Sequence, residues 1–170
     1  FKFTTEALLG DTKLANEFTN GNYTTLYLAP HDYHRVHMPL AGKLISQRFI
    51  PGKLFSVNTY TAGTVNNLFA RNERLCCIFE TEHGLMAQVM VGAMIVGSII
   101  SVWGGNSHTE APNASSEYKN GPNLTKGDHM GMFAFGSTVI TLFQENKMKW
   151  NDDIKIGQKV EVMQPIGKVI

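Results

Sequence analysis

From Leu85 to Trp103 not one residue carries a charge, and no other feature limits the possible folds of this chain as much. A run of that length is just long enough to cross a bilayer as a helix. It contains Gln88, Gly92, Gly97, Ser98 and Ser101, is rich in Val and Ile, and breaks naturally at Gly92 and Gly97. Two short buried strands fit that pattern better than one spanning helix. The 170 residues are enough for one domain with a real core. Only 17% are charged, against about 25% in an ordinary soluble domain. The surface is therefore expected to be unusually neutral or partly covered by something apolar.

The rest of the chain also reads mainly as strands. Residues 5–18 are expected to form one helix, capped by Thr4 or Thr5, with Glu6 at its positive end and Leu8, Leu14, Ala15 and Phe18 on one side. Asn20, Gly21 and Asn22 stop it. Strands are expected over residues 23–28, 43–49, 54–60 and 75–80, with a turn at Pro51 and Gly52. Residues 103–126 read as a long polar loop, and order returns at 131–143 and at 154–170. The segment around Gly157 and Gly167 repeats a strand–turn–strand idiom met earlier around Gly42 and Gly52. Its likeness to the hybrid barrel of lipoyl-type domains gives the expected fold: mainly β (α+β), a compact antiparallel barrel or sandwich with an N-terminal helix.

Several function classes are disfavoured. The net charge is +1, which makes no case for nucleic acid. The two cysteines, Cys76 and Cys77, are adjacent, so on a strand they face opposite ways and read as small core hydrophobes. No signal-peptide pattern is present, and an opening residue of Phe1 leads us to expect that a longer precursor was trimmed.

Two segments are suited to chemistry. In the run from Leu28 to Pro39, half of the chain's six histidines, His31, His34 and His37, stand with Asp32, Tyr33 and Arg35 between two prolines. Imidazole is the side chain best matched to proton transfer near neutral pH. A polar surface turn and a metal site are the alternatives. The metal is disfavoured because no thiol or carboxylate set with metal spacing accompanies the histidines. The second segment, from Met132 to Phe143, sets Gly136, Ser137 and Thr138 inside an apolar, strand-like run. Glycine leaves its own carbonyl open to attack and tolerates the backbone that brings the next hydroxyl close, so an internal acyl shift is permitted there.

At these two segments the chain resembles the phosphatidylserine decarboxylases. The run Leu28 to Pro39 is similar to that family's histidine motif, and Phe135-Gly136-Ser137-Thr138 to its cleavage motif, with Phe135 where Leu is usual. The runs from Pro51 to Asn58, Asn67 to Arg74 and Val91 to Ser98 also match, in the same order. The resemblance implies a proenzyme in which Ser137 attacks the Gly136 carbonyl and is converted to a pyruvoyl group. Self-cleavage would leave residues 1–136 as the larger chain and 137–170 as the smaller, pyruvoyl-bearing one. His37 would be the base that activates Ser137, and His34 a proton donor or carboxylate contact in decarboxylation. The mature enzyme would convert phosphatidylserine to phosphatidylethanolamine and carbon dioxide through a Schiff base with the pyruvoyl group.

Further expectations come with the resemblance. The two cleaved chains would stay together as a heterodimer, or within a higher homo-oligomer. The partners would be phosphatidylserine and an anionic membrane surface, with no nucleic acid and no metal. The location would be peripheral, on the cytoplasmic face of a bacterial inner membrane, with the mitochondrial inner membrane as the alternative. The family's third triad member is an Asp in a Pro-x-Asp-Gly motif upstream of the first helix. Neither Asp11 nor Asp32 sits in such a motif, so neither takes the role; were the upstream part truly absent, self-cleavage would be expected to be slow, because nothing would hold the His37 tautomer. A Ser-His hydrolase is a rival reading, weakened by the missing Gly-x-Ser-x-Gly elbow. A lipoyl-like carrier is another, and it leaves the histidines unexplained.

Overall fold

The computed structural model describes residues 3–57, 61, 64–94, 98–106, 115–134 and 136–170. Readings above that involve Phe1, residues 58–60, 95–97 and 107–114, or Phe135 lie outside them.

The uncharged run becomes two strands, β5 (Gly84–Val91) and β6 (Ile99–Ser101), and they belong to different sheets. The larger sheet runs β1 (Asn22–Tyr27), β11 (Thr138–Phe143), β5, β4 (Arg74–Thr81), β3 (Gly42–Ile50) and β8 (Ser115–Glu117), with β9 (Asn123–Leu124) also on β3. The smaller runs β2 (Arg35–His37), β10 (His129–Phe133), β6 and β7 (Gly105–Asn106). Every ladder in both sheets is antiparallel. β12 (Met148–Trp150) and β13 (Gly167–Val169) form a separate ribbon.

The central strands lack charge because both of their faces are buried. Leu75, Cys77 and Phe79 of β4, Met86 and Met90 of β5, and Val139 and Phe143 of β11 pack toward the smaller sheet, meeting Val36, Ile99, Met130 and Phe133. Cys76, Ile78, Ala87, Val89, Val91, Ile140 and Leu142 alternate to the other side and meet Leu8, Leu9 and Phe18, together with Leu68 and Phe69 from the short helix Leu68–Arg71. A period of two on each strand thus builds two cores in one domain. The buried polar pair inside them is satisfied within the sheet, since Thr141 Oγ1 donates to Gln88 Oε1 at 3.0 Å across the ladder.

The mainly β sandwich is as expected, while the strands close into no barrel among the described residues. The single expected helix is two, α1 (Thr5–Leu9) and α2 (Thr12–Glu17). Gly10 takes φ +64° to end the first, and the Asp11 carboxylate caps the second through Leu14 N at 3.0 Å. The expected loop 103–126 contributes β7, β8 and β9. These are two- and three-residue strands, too short to show an apolar alternation in the sequence. The order expected over residues 154–170 reduces to β13 and a series of turns, with Ile156, Val162 and Met163 exposed. Residues 54–57 are not strand.

Arg74 locks the helical layer to the larger sheet. Its buried guanidinium donates to Leu8 O at 2.6 Å, Ala7 O at 2.7 Å and Asn72 O at 2.9 Å, so it closes the last carbonyls of α1. Arg74→Met is expected to cost about 3 kcal/mol by stranding these carbonyls, measured as a shift in the urea midpoint at unchanged slope. Burial also pushes the Cys76 thiol up to about 12 and raises Cys77 well above its ordinary value. Iodoacetamide at pH 8 is therefore expected to spare both thiols in the native protein and label both in guanidinium. Native labelling at the unfolded rate would contradict the two-sided burial.

Candidate active site

The Gly-Ser pair does not lie within a strand. It lies where the chain crosses from the smaller sheet to the larger, between β10 and β11. Beside it the histidine segment makes the opposite crossing, from β1 in the larger sheet to β2 in the smaller. Two main-chain hydrogen bonds tie these crossings together. Phe133 N donates to His34 O at 3.1 Å on one side of the junction, and Leu28 N donates to Ser137 O at 2.7 Å on the other.

Between those ties the backbones touch. A Cβ on Gly136 would collide with the Leu28 carbonyl and lie 2.8 Å from Ala29 C, so only glycine fits. Ala29 is itself fixed by a turn. Its N–H donates to Asp32 Oδ2 at 2.8 Å, and its carbonyl accepts from Asp32 N and from His34 Nε2, each at 2.9 Å. Asp32 is thus occupied in shaping the turn. His34, half-buried, holds the same residue on which Gly136 rests.

Ser137 is fully buried, and its hydroxyl donates to the Val91 carbonyl. Val91 is also the ladder partner of Thr138 and of Arg74. His37 stands apart from the serine. Its Nδ1 donates to Gly127 O at 2.8 Å, and its Nε2 accepts from the Tyr33 hydroxyl at 2.9 Å. The Tyr33 ring stacks on the imidazole with 11° between the planes. Both ring nitrogens are therefore engaged, and among the described residues no hydrogen bond joins His37 to Ser137. His31 is exposed, with its Nε2 3.8 Å from Asp32 Oδ1.

Three groups at the site, Gly127, His129 and Val91, were not singled out from the sequence, nor was the part that Tyr33 plays. Gly127 and His129 reach His37 because β10 pairs with β2, placing His129 directly opposite His37. Only the strand register carries that information. Burial and then the Arg35 guanidinium, 3.4 Å from its Nε2, push the His129 imidazole below its usual range. Tyr33 and Val91 stand inside quoted motifs, but nothing local marks one as a ring partner or the other as a hydroxyl acceptor.

With this geometry in view, comparison with known proteins is specific. A family model described as phosphatidylserine decarboxylase matches residues 1–168. A phosphatidylserine decarboxylase proenzyme of Vibrio cholerae is 50% identical over 168 residues, covering 94% of this chain and 58% of the relative. One of Alcanivorax borkumensis is 50% identical over 166 residues, covering 95% and 57%. One of Dechloromonas aromatica is 45% identical over 169 residues, covering 97% and 60%. The chain thus spans a little under three fifths of the length of the first two relatives. A match that runs through both crossings and nearly the whole chain means that it belongs to the phosphatidylserine decarboxylase family.

Proposed function

We propose that this protein decarboxylates phosphatidylserine to phosphatidylethanolamine and carbon dioxide, using a pyruvoyl group made by cutting itself between Gly136 and Ser137. The observation that carries the reading is the docking of that junction on the histidine segment, with Gly136 pressed on Leu28 and Ala29 and Ser137 held by Leu28 N. The surroundings fit the group. The side chain at 137 is small and fully buried, and its main-chain carbonyl is anchored, so the three-carbon pyruvoyl group made from this residue would stay where the serine stood.

In maturation, Ser137 Oγ attacks the Gly136 carbonyl carbon, the C–N bond breaks, and the nitrogen gains a proton as the ester forms. His37 is the base in this reading. Donation from Nδ1 to Gly127 O fixes the tautomer with the lone pair on Nε2, the atom that must leave the Tyr33 hydroxyl to take the serine proton. Elimination takes the Cα proton of residue 137 and expels the Gly136 carboxylate, which cuts the chain and leaves a dehydroalanine at 137; water then replaces its nitrogen, releasing ammonia and leaving the pyruvoyl carbonyl. The pyruvoyl group, once present, supplies an electrophilic carbonyl for the lipid amine and an electron sink for the charge left by carbon dioxide. His34 spends Nε2 on Ala29 O, which leaves Nδ1 to hold or hand over a proton beside the junction.

The cut falls just before β11, which pairs with β1 on one side and β5 on the other. Residues 1–136 and 137–170 therefore remain one folded heterodimer. A hydrolase reading is disfavoured because Ser137 does not stand in a Gly-x-Ser-x-Gly elbow. Phosphatidylserine lies in a bilayer, and no helix among the described residues is long and apolar enough to cross one. With bacterial relatives, the reading puts the enzyme peripherally on the cytoplasmic face of a bacterial inner membrane.

Denaturing intact mass of the full-length protein is expected to give two chains, the second starting with a pyruvoyl group at 137. Ser137→Ala and His37→Ala are each expected to remain uncut. His34→Ala is expected to cut normally and lose decarboxylation by roughly 10²–10⁴-fold. Full activity in His34→Ala would end the division of labour between the two histidines.

A further inference from the structure

A buried acid, Glu73, stands in the same row of the larger sheet as Ser137. Its N–H donates to Lys53 O at 2.9 Å, and its carbonyl accepts from Gly92 N at 2.8 Å. The second bond carries the β4–β5 ladder one step past its last pair, Arg74 with Val91. The β5–β11 ladder ends at Val91 with Thr138, so one step further Gly92 comes opposite Ser137. Glu73, Gly92 and Ser137 thus lie side by side across three strands. Arg74 and Val91, one step back, turn their side chains to the helical layer. The row of Glu73 and Ser137 therefore turns to the smaller sheet, as Leu75 does.

Two details of this row bear on reactivity. The Ser137 carbonyl points away to Leu28 N, and the Gly92 N–H points away to Glu73 O. Ser137 and Gly92 are therefore a non-hydrogen-bonded antiparallel pair, in which the Cα atoms come to about 4.5 Å and their C–H bonds face each other. The Cα proton of Ser137 is directed at Gly92. Glycine also leaves the space above it to Glu73, whose Cγ lies 2.9 Å and Oε1 3.3 Å from the place a Gly92 Cβ would take. The carboxyl group leans off its own strand, across Gly92, toward residue 137.

The inference rests on the self-cleavage reading above, in which His37 serves the acyl shift and the elimination still needs a base. We propose that Glu73 is the base that takes the Cα proton of residue 137. The carboxylate gains the proton, the C–H electron pair becomes the Cα–Cβ double bond, the Cβ–Oγ bond breaks, and Gly136 departs with Oγ as a carboxylate. Negative charge building on the carbonyl of residue 137 is met by Leu28 N–H, already 2.7 Å from that oxygen. The same tie keeps the Cα in place once the amide between Gly136 and Ser137 is gone.

Hydroxylamine at neutral pH cleaves esters and spares amides, so it separates the acyl shift from the elimination. In the full-length protein Glu73→Gln is expected to slow self-cleavage by roughly 10²–10⁴-fold, followed by intact mass. Hydroxylamine is expected to split this variant at 136–137 and to release a second chain that begins with unmodified serine. His37→Ala and Ser137→Ala, stopped before the ester, are expected to resist the same treatment. Self-cleavage of Glu73→Gln at the parent rate would overturn the proposal. So would a Glu73→Gln chain that stays whole in hydroxylamine, because Glu73 would then act in the acyl shift or in folding. A parent chain that never splits at 136–137 would instead sink the self-cleavage reading.

Discussion

The hydrogen bond from Leu28 N to Ser137 O is the tie on which the site depends. It extends the β1–β11 ladder, whose last register pair is Tyr27 with Thr138, by one step. Ser137 is therefore positioned by a sheet, even though it lies outside a strand. Beyond that tie the two segments leave the larger sheet side by side, one forward through the Ala29–Asp32 turn into β2 and one backward through Ala134 into β10. They meet again where Phe133 N donates to His34 O. Gly136, between these two fixed points, lies against Leu28 and Ala29 with no room for a side chain. A reaction between neighbouring backbone atoms needs that kind of restraint, because loose junctions sample few reactive geometries.

The same construction accounts for the low charge of the chain. A site between two crossings needs two sheets facing each other, and the larger sheet must also be covered on its far side. β4, β5 and β11 are consequently apolar on both faces. The buried cation among them, Arg74, is tolerated because three main-chain carbonyls surround it. It does more than stay satisfied. Asn72, two residues before it, donates to Gly92 O at 2.8 Å and exchanges hydrogen bonds with the backbone of Phe55. Val91 pairs with Arg74 on one side and with Thr138 on the other. The acceptor of the Ser137 hydroxyl is thus held by the same short stretch that fastens the helices.

Strands with apolar alternation were legible from residues alone, and so was the two-sided burial of Cys76 and Cys77, because side-chain period is a local property. The break at Gly10 was present in the sequence as Gly10-Asp11, a stop followed by a cap, but Leu8, Leu14 and Phe18 suggested a continuous face and hid it. Edge strands such as β8 could not be read, since Ser115, Ser116 and Glu117 offer no apolar alternation and pair with β3 through a register between residues far apart in the chain. In the site, Gly136 and Ser137 were legible as chemistry and misread as place, because an apolar run looks the same within a strand and across a change of sheet. His129 had no local signal at all: it meets His37 through a register between residues far apart in the chain.

The orientation of His37 shows how one such register alters a mechanistic expectation. A carboxylate was expected to be needed to hold its tautomer, and here the Gly127 carbonyl accepts from Nδ1 at 2.8 Å. Gly127 is positioned for this because its own N–H donates to Met38 O at 2.8 Å, next to β2. A neutral carbonyl and a carboxylate are not equivalent partners. Either one directs the lone pair to Nε2, but a carboxylate also stabilises the imidazolium that forms when the proton arrives. The carbonyl orients the ring as a base. Nearby His129, kept low in pKa by burial and Arg35, is disposed to stay neutral and so adds no charge of its own against that step. The tautomer of His37 is therefore a property of this fold, and the strength of His37 as a base is the part of the chemistry that a neighbouring negative charge would raise.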